Sequence, residues 1–130
     1  MRKIQVLLVD DNQIFLDSIQ RFLASVKNIQ VVGCAASGEE AILLAEKLNP
    51  ELVLMDLAMP AMNGLQATRI LKAKGHAPRI VVLTMHDSLE YQRAAKSVGA
   101  DGFIAKSEFG EKLQPLIESL FDLREKGGLC

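Results

Sequence analysis

LVLMDLAMP, residues 52–60, is the stretch that decides the fold of this chain. Its first four residues, Leu52 to Met55, are apolar and too few for a helix, so they predict a strand buried on both faces of a parallel sheet. Asp56 follows where that strand is expected to end. An unpartnered buried carboxylate costs roughly several kcal/mol, so we expect Asp56 to face a cleft, a cation or hydrogen-bond donors. Taken alone, the same aspartate could equally cap the next helix or turn.

Four further apolar runs alternate with segments of helical periodicity. The runs predicted as strands are residues 4–9 (IQVLLV), 29–36 (IQVVGCAA), 79–84 (RIVVLT) and 101–105 (DGFIA). Ser37 with Glu40 predicts a helix capping box, whereas Asn63-Gly64 predicts a turn. Pro115 lacks an N–H, so the last helix is predicted to begin only a few residues before it. Together the five alternations predict an α/β fold, a doubly wound (βα)5 parallel sheet in the flavodoxin-like order 2-1-3-4-5.

Composition and charge indicate a single folded domain that neither binds nucleic acid directly nor spans a membrane. The chain has 130 residues, 49% of them hydrophobic, and a formal net charge of −1, which is typical of one folded domain. No run of lysine or arginine is long enough to follow a phosphate backbone, so direct nucleic-acid binding by this segment is not expected. Neither a membrane span nor a signal peptide is evident, and a cytoplasmic location is the expectation. Cys34 and Cys130 are expected to be reduced thiols, and a zinc site using them lacks the usual ligand spacing.

Polar side chains stand at the carboxyl ends of four predicted strands. Strand one is followed by Asp10 and Asp11, strand three by Asp56, and strand five by Lys106, while strand four ends in Thr84. Strands one and three are neighbours in the expected order, so the three carboxylates should converge. Two such charges about 4 Å apart repel by roughly 4 kcal/mol at an effective dielectric constant near 20. The cluster therefore predicts a bound cation.

Mg²⁺ is the first candidate because it prefers a few carboxylate oxygens and retains water. We expect Asp11 and Asp56 to be direct ligands, the backbone carbonyl of Ala58 to be a third, and Asp10 to act through water. The free oxygen of Asp56 can then serve as a nucleophile toward phosphorus.

Lys106 and Thr84 complete the expected phosphate site. Charge on a transferring phosphoryl group spreads over three oxygens. The ion can neutralise one of them, Lys106 another, and the Thr84 hydroxyl or a backbone N–H the third.

Four motifs stand around these polar residues: Val9-Asp10-Asp11, Met55-Asp56-Leu57-Ala58-Met59-Pro60 with Asn63-Gly64, Val82-Leu83-Thr84, and the run from Gly99 to Lys106. Through these motifs the sequence resembles the receiver domain of bacterial two-component response regulators, over about residues 3–124. The resemblance implies that Asp56 accepts a phosphoryl group from a phosphohistidine of a sensor histidine kinase, with Mg²⁺ required.

The resemblance also implies a switch. In such a switch Thr84 turns toward the phosphoryl group and Phe103 swings inward, and these movements remodel the face made by helix four, strand five and helix five. The alternative is that Phe103 is an ordinary core residue. Residues 1–124 are then the receiver domain and residues 125–130 a tail or the start of a linker. The run from Ala105 to Phe109 looks like receivers joined to a LuxR-type DNA-binding output domain. A stand-alone receiver that acts by docking, and a homodimer, are open alternatives.

Two positions beside the expected phosphate site depart from the polar residues of many receivers. Ala58 offers no side chain to position an attacking water, so slow autodephosphorylation is expected. His86 either hydrogen-bonds the phosphate or is an ordinary loop histidine. Met85 is bulkier than the small residue often found beside the threonine.

Other functions fit the residues less well. An aspartate-nucleophile phosphatase usually needs a second aspartate at position 58, where alanine stands. A flavodoxin would place its phosphate beside Asp10 and Asp11, which repel it. The chain contains no P-loop motif. We therefore expect a signalling domain that catalyses only its own aspartyl phosphorylation and dephosphorylation.

Overall fold

The computed structural model describes residues 3–59, 63–85 and 88–121. Strands and helices alternate along these ranges. The strands are β1 (Ile4–Val9), β2 (Ile29–Ala35), β3 (Leu52–Asp56), β4 (Arg79–Thr84) and β5 (Gly102–Ala105). The helices are α1 (Gln13–Ala24), α2 (Gly38–Leu48), α3 (Gly64–Lys72), α4 (Leu89–Ser97) and α5 (Phe109–Phe121), with a short 3-10 helix, Lys106–Glu108, before α5.

The strands form one parallel sheet in the order β2-β1-β3-β4-β5, which confirms the predicted topology. The register aligns the strand ends: Val9 pairs with Met55, and Thr84 pairs with Ala105. Asp56 is the last residue of β3 and pairs with Leu83, so the strand runs one residue further than predicted. Because parallel strands end at the same edge, the polar residues after them are brought to one side of the molecule.

Apolar side chains cover both faces of the sheet. Alternate residues of a strand point to opposite faces, so Leu52 and Leu54 join one cluster while Val53 and Met55 join the other. The first cluster includes buried residues of α1 and α5, and the second includes buried residues of α2 and α3. A helix layer thus lies on each face, which explains why the strands are apolar on both sides.

Of the two hydrogen bonds of the capping box predicted for α2, one forms as expected and the other has a different donor. The Ser37 hydroxyl accepts a hydrogen bond from the N–H of Glu40, at 3.1 Å. The Glu40 carboxylate, however, accepts from the N–H of Ala36, at 2.8 Å, one residue before the N-cap. Both bonds still satisfy donors at the start of the helix.

The turn predicted at Asn63-Gly64 is wrong. Asn63 is the N-cap of α3, and its side chain accepts a hydrogen bond from the N–H of Gln66 at 2.9 Å. The Gln66 side chain accepts in return from the N–H of Asn63 at 3.1 Å, so the capping box is complete. Gly64 is therefore the first residue of a helix.

The prediction for Pro115 is also wrong. Helix α5 begins at Phe109, so Pro115 is its seventh residue and lies beyond the first turn. A proline there removes one backbone hydrogen bond and costs about 3 kcal/mol. Burial of Phe109, Leu113 and Ile117 against the sheet outweighs that cost, and Pro115 itself stays on the exposed side.

Some predictions fall on residues outside the described ranges, namely His86, Cys130 and the domain boundary at 124/125. Cys34 is a partly buried free thiol in β2, and burial together with the nearby Asp17 charge raises its pKa. Among the described helices, none has both the length and the apolar character that a bilayer crossing requires.

Candidate functional site

Three carboxylates converge at the carboxyl ends of β1 and β3. One oxygen from each of Asp10, Asp11 and Asp56 lies within 4.8 Å of the others. Asp10 and Asp56 are buried, at 2% and 4% exposure, whereas Asp11 is exposed. Within the described ranges this is the one group of three or more side chains arranged to hold a metal ion. The predicted acidic cluster is therefore present.

Lys106 supplies the positive charge of this cluster. It directly follows β5, and its Nζ lies 2.7 Å from Asp10 Oδ2 and 3.1 Å from Asp56 Oδ1. The lysine side chain is only 9% exposed. Charged groups so poorly hydrated interact more strongly than surface ion pairs do. One ammonium group thus binds two carboxylates, one directly after β1 and the other at the end of β3.

The charges act on the pKa of Asp56. The pKa of this carboxyl is raised from its usual 3.8 to about 6, chiefly by burial and also by the negative charges of Asp10 and Asp11. Lys106 lowers it, but by less. The site therefore holds more negative charge than its one lysine can compensate, as a site for a cation should.

The pKa of Lys106 is also shifted. Burial by itself lowers that pKa, but the hydrogen bond to Asp10 and the charges of Asp56 and Asp10 outweigh burial and raise it. Lys106 is consequently a firmly protonated, cationic group at neutral pH.

Asp10 is held by local backbone geometry as well. The N–H of Asn12 donates to Asp10 Oδ1 at 2.8 Å, while Oδ2 accepts from Lys106. Asn12 is in turn the N-cap of α1, because its side chain accepts from the N–H groups of Ile14 and Phe15. The run Asp10-Asp11-Asn12 thus ends β1, presents two carboxylates and starts the next helix.

Thr84 and Ala58 line the same cavity. Thr84 ends β4 and is buried, at 3% exposure. With Ala58, Leu57 and Tyr91 it borders an open cavity of about 410 Å³. Met85 follows Thr84 and is 76% exposed, and Ala58 is also exposed. His86, the other predicted neighbour, is outside the described residues.

Phe103, the predicted switch residue, lies in β5. It is half-buried in β5 and packs against an apolar cluster of Leu57, Val82 and Ala95. In this structure its contacts are those of a core residue, beside the short helix α4.

Sequence reasoning missed how two residues, Gly64 and Phe15, shape the site. A Cβ added to Gly64 would overlap the backbone carbonyl oxygen of Asp56, so α3 can start this close to β3 only with glycine. The pattern Asn63-x-x-Gln66 was a usable signal for this helix start. Phe15 contacts Lys106 through its ring, 4.2 Å from Nζ to the ring centroid. No local pattern links residues so far apart in the chain.

A family model described as response regulator receiver domain matches residues 6–118. The chain is 38% identical over 104 residues to the transcriptional regulatory protein DegU of Brevibacillus brevis, covering 80% of this chain and 44% of that protein. It is 39% identical over 108 residues to the nitrate/nitrite response regulator protein NarL of Escherichia coli K12, covering 83% of this chain and 50% of that protein. The chain spans about half the length of these two regulators.

A solved structure of a related regulator has the same fold as this chain. A two-component response regulator of the LuxR family from Aurantimonas sp. SI85-9A1 superposes with a TM-score of 0.86 at 32% identity. That match covers 95% of this chain and 88% of the other.

Proposed function

This chain belongs to the response regulator receiver family, and we propose that its Asp56 carboxylate accepts a phosphoryl group from a phosphohistidine of a sensor histidine kinase. The observation that carries the proposal is the arrangement around Asp56. Its carboxylate ends β3 beside two further carboxylates, and Lys106 lies 3.1 Å away. A nucleophile, a cation site and a fixed positive charge are thus close together, as phosphoryl transfer requires.

The acidic cluster fits Mg²⁺. Carboxylate oxygens of Asp10, Asp11 and Asp56 lie within 4.8 Å of one another, and oxygen atoms are the ligands that this ion prefers. Asp11 and Asp56 would be the direct ligands, with the backbone carbonyl of Ala58. Both Asp10 oxygens already accept hydrogen bonds, from Asn12 and Lys106, which supports a role for Asp10 through water. When bound, the ion neutralises negative charge on the phosphoryl oxygens and on the cluster.

The transfer step forms one P–O bond and breaks one P–N bond. An Asp56 carboxylate oxygen attacks phosphorus, and the electron pair of the P–N bond leaves with the imidazole nitrogen of the kinase. With its other ring nitrogen protonated, the imidazole departs as a neutral group, so no further reactant is needed. Lys106 Nζ is placed to neutralise an oxygen of the phosphoryl group as it arrives. The Thr84 hydroxyl is our candidate donor to another oxygen.

We assign the output of the switch to the face formed by α4, β5 and α5. Thr84 ends β4 and Phe103 lies in β5, on two strands that pair directly. A movement of Thr84 toward the phosphoryl group would free space that the Phe103 ring can enter. Phe103 carries no hydroxyl, so any contact it makes with a partner must use the ring.

We further propose that residues 1–124 form the receiver and that residues 125–130 begin a linker to a DNA-binding output domain. The proposal is supported by DegU and NarL, which are described as transcriptional and nitrate/nitrite regulators and are about twice as long as the matched part. Phosphorylation of Asp56 would then control transcription. Sequencing the gene beyond codon 130 tests this directly, and a stop codon there would contradict it.

Fluoroberyllate, a mimic of a bound phosphoryl group, tests the proposed site. Titration in the presence of Mg²⁺, followed by amide NMR shifts, should give saturable binding to the wild type. The Asp56→Asn variant should not bind, because the fluoroberyllate bond needs a carboxylate oxygen. Turnover of p-nitrophenyl phosphate at catalytic rates would instead support the phosphatase, the rival that Ala58 disfavours.

A further inference from the structure

The Lys106 ammonium has a third neighbour that the proposed chemistry does not use. Two sides of the group face Asp10 Oδ2 and Asp56 Oδ1, at 2.7 and 3.1 Å. On another side lies the ring of Phe15, with 4.2 Å between Nζ and the ring centroid. This distance is well inside the roughly 6 Å within which a cation is attracted to an aromatic face.

Phe15 is itself fixed in place. It is the third residue of α1, and its N–H donates to the Asn12 side chain at 3.2 Å. Its side chain is half-buried and packs against the core cluster that contains Leu16 and Ile19. The ring is thus attached to the helix that starts directly after the acidic pair, and it reaches Lys106 across the end of the sheet.

The Phe15 ring attracts the Lys106 ammonium group without adding a full negative charge to the cluster. A lysine ammonium sits on a flexible four-carbon stem and is strongly hydrated in water. A carboxylate in the place of Phe15 would add charge to a cluster that is already too negative. The aromatic face attracts the cation, excludes water from it and leaves its donors to Asp10 and Asp56.

We propose that Phe15 is a positioning residue for Lys106. Its ring holds the ammonium group where an oxygen of the transferring phosphoryl group arrives, and so speeds the phosphorylation of Asp56. This inference rests on the proposed function of Asp56. It assigns Phe15 no contact with the phosphoryl group itself.

The experiment measures the rate of phosphorylation by acetyl phosphate at saturating Mg²⁺, together with the Mg²⁺ affinity and the free energy of unfolding of each variant. Phe15→Leu keeps an apolar side chain but removes the ring, and we expect a rate about tenfold lower with the Mg²⁺ affinity unchanged. Phe15→Tyr keeps the ring and should restore the rate. Phe22→Leu is the matched control, because Phe22 lies on the same helix but contacts Phe109 instead of Lys106, and its rate should equal that of the wild type.

Fluorinated phenylalanines at position 15 separate the charge of the ring from its shape. Each added fluorine weakens the negative face while the ring keeps its size, so the rate should fall stepwise from the mono- to the trifluoro variant. An unchanged rate in Phe15→Leu, or a full rate in the trifluoro variant, would overturn the role of Phe15 while leaving Asp56 phosphorylation intact. A wild-type protein that acetyl phosphate does not modify would overturn the proposed function, and this inference with it.

Discussion

The negative charge of Asp56 destabilises the folded state. Its pKa of about 6 lies above the 3.8 expected for the unfolded chain, so the folded state binds this proton more tightly. The ionised form is therefore the destabilising one. Its penalty is full above about pH 6, decreases as the pH falls through the interval from 6 to 3.8, and is absent below. The shift corresponds to about 3 kcal/mol, a large part of the stability of a small domain.

Asp56→Asn should therefore stabilise the protein when no divalent ion is present. At pH 7.5 in EDTA we expect the free energy of unfolding to rise by about 2 kcal/mol, because the amide is uncharged and still offers Lys106 an acceptor. Urea unfolding measures this. Asp17→Asn, at an exposed position on α1, should change stability by less than about 0.5 kcal/mol. An Asp56→Asn variant less stable than the wild type would contradict the charge imbalance.

The buried hydroxyl of Thr68 should also lower the stability of the folded state. It is fully buried in α3, and among the described residues its hydroxyl oxygen has no hydrogen-bond partner. Thr68→Val replaces that hydroxyl with a methyl of similar size, so the free energy of unfolding should rise by about 1 kcal/mol. Thr68→Ala also removes the hydroxyl but leaves a small cavity, and thermal unfolding should rank it below the valine variant. A destabilised Thr68→Val would mean that the hydroxyl is paired after all.

Ala58 should govern how long the phosphoryl group persists. Its exposed methyl offers no polar atom to orient an attacking water, so we expect slow loss of phosphate from the isolated domain. Ala58→Asn supplies such an atom and should shorten the lifetime by about tenfold or more. Phosphate release after removal of acetyl phosphate measures both rates. A half-life of seconds for the wild type would contradict this assignment.

At the scale of elements, the close contact between β3 and α3 leaves no room for a side chain at Gly64. The N–H of Gly64 donates to the carbonyl oxygen of Leu57 at 3.1 Å, which brings the helix start against the end of the strand. Gly64→Ala places a Cβ onto the carbonyl oxygen of Asp56, so one of the two elements must move. We expect a loss of about 3 kcal/mol or more in unfolding free energy, together with weaker Mg²⁺ binding.

Gly75→Ala is the control for that variant. A Cβ at Gly75 meets nothing within 4 Å, so this substitution should be close to neutral in urea unfolding. Equal unfolding free energies for the two alanine variants would contradict the prediction that the close approach of α3 to β3 requires glycine at position 64.

Periodicity predicted the elements better than it predicted their starts. The strands were readable because residues such as Val53 and Leu54 are apolar on both faces, and α1 because its buried residues recur at helical spacing. The start of α3 was missed because Asn-Gly is also a common turn pair. The start of α5 was missed because packing of Phe109 overrides the local cost of Pro115, and that packing is not visible in a local sequence window.

At the scale of the whole molecule, the site exists only when the sheet is complete. Lys106 and Asp10, 96 residues apart, are joined at 2.7 Å because β1 and β5 belong to one parallel sheet with aligned ends. The strand order was predictable, so the convergence of Asp10, Asp56 and Lys106 was predictable too. The contact of Phe15 with Lys106 was not, since it depends on how α1 lies across the sheet end.

The most direct test is the intact mass of the purified protein after incubation with acetyl phosphate and Mg²⁺. We predict the addition of a single phosphoryl group, located on Asp56 by peptide mapping, and no addition in Asp56→Asn or when EDTA replaces Mg²⁺. An unchanged wild-type mass, or equal modification of the Asp56→Asn variant, would contradict the assignment of Asp56 as the phosphoryl acceptor.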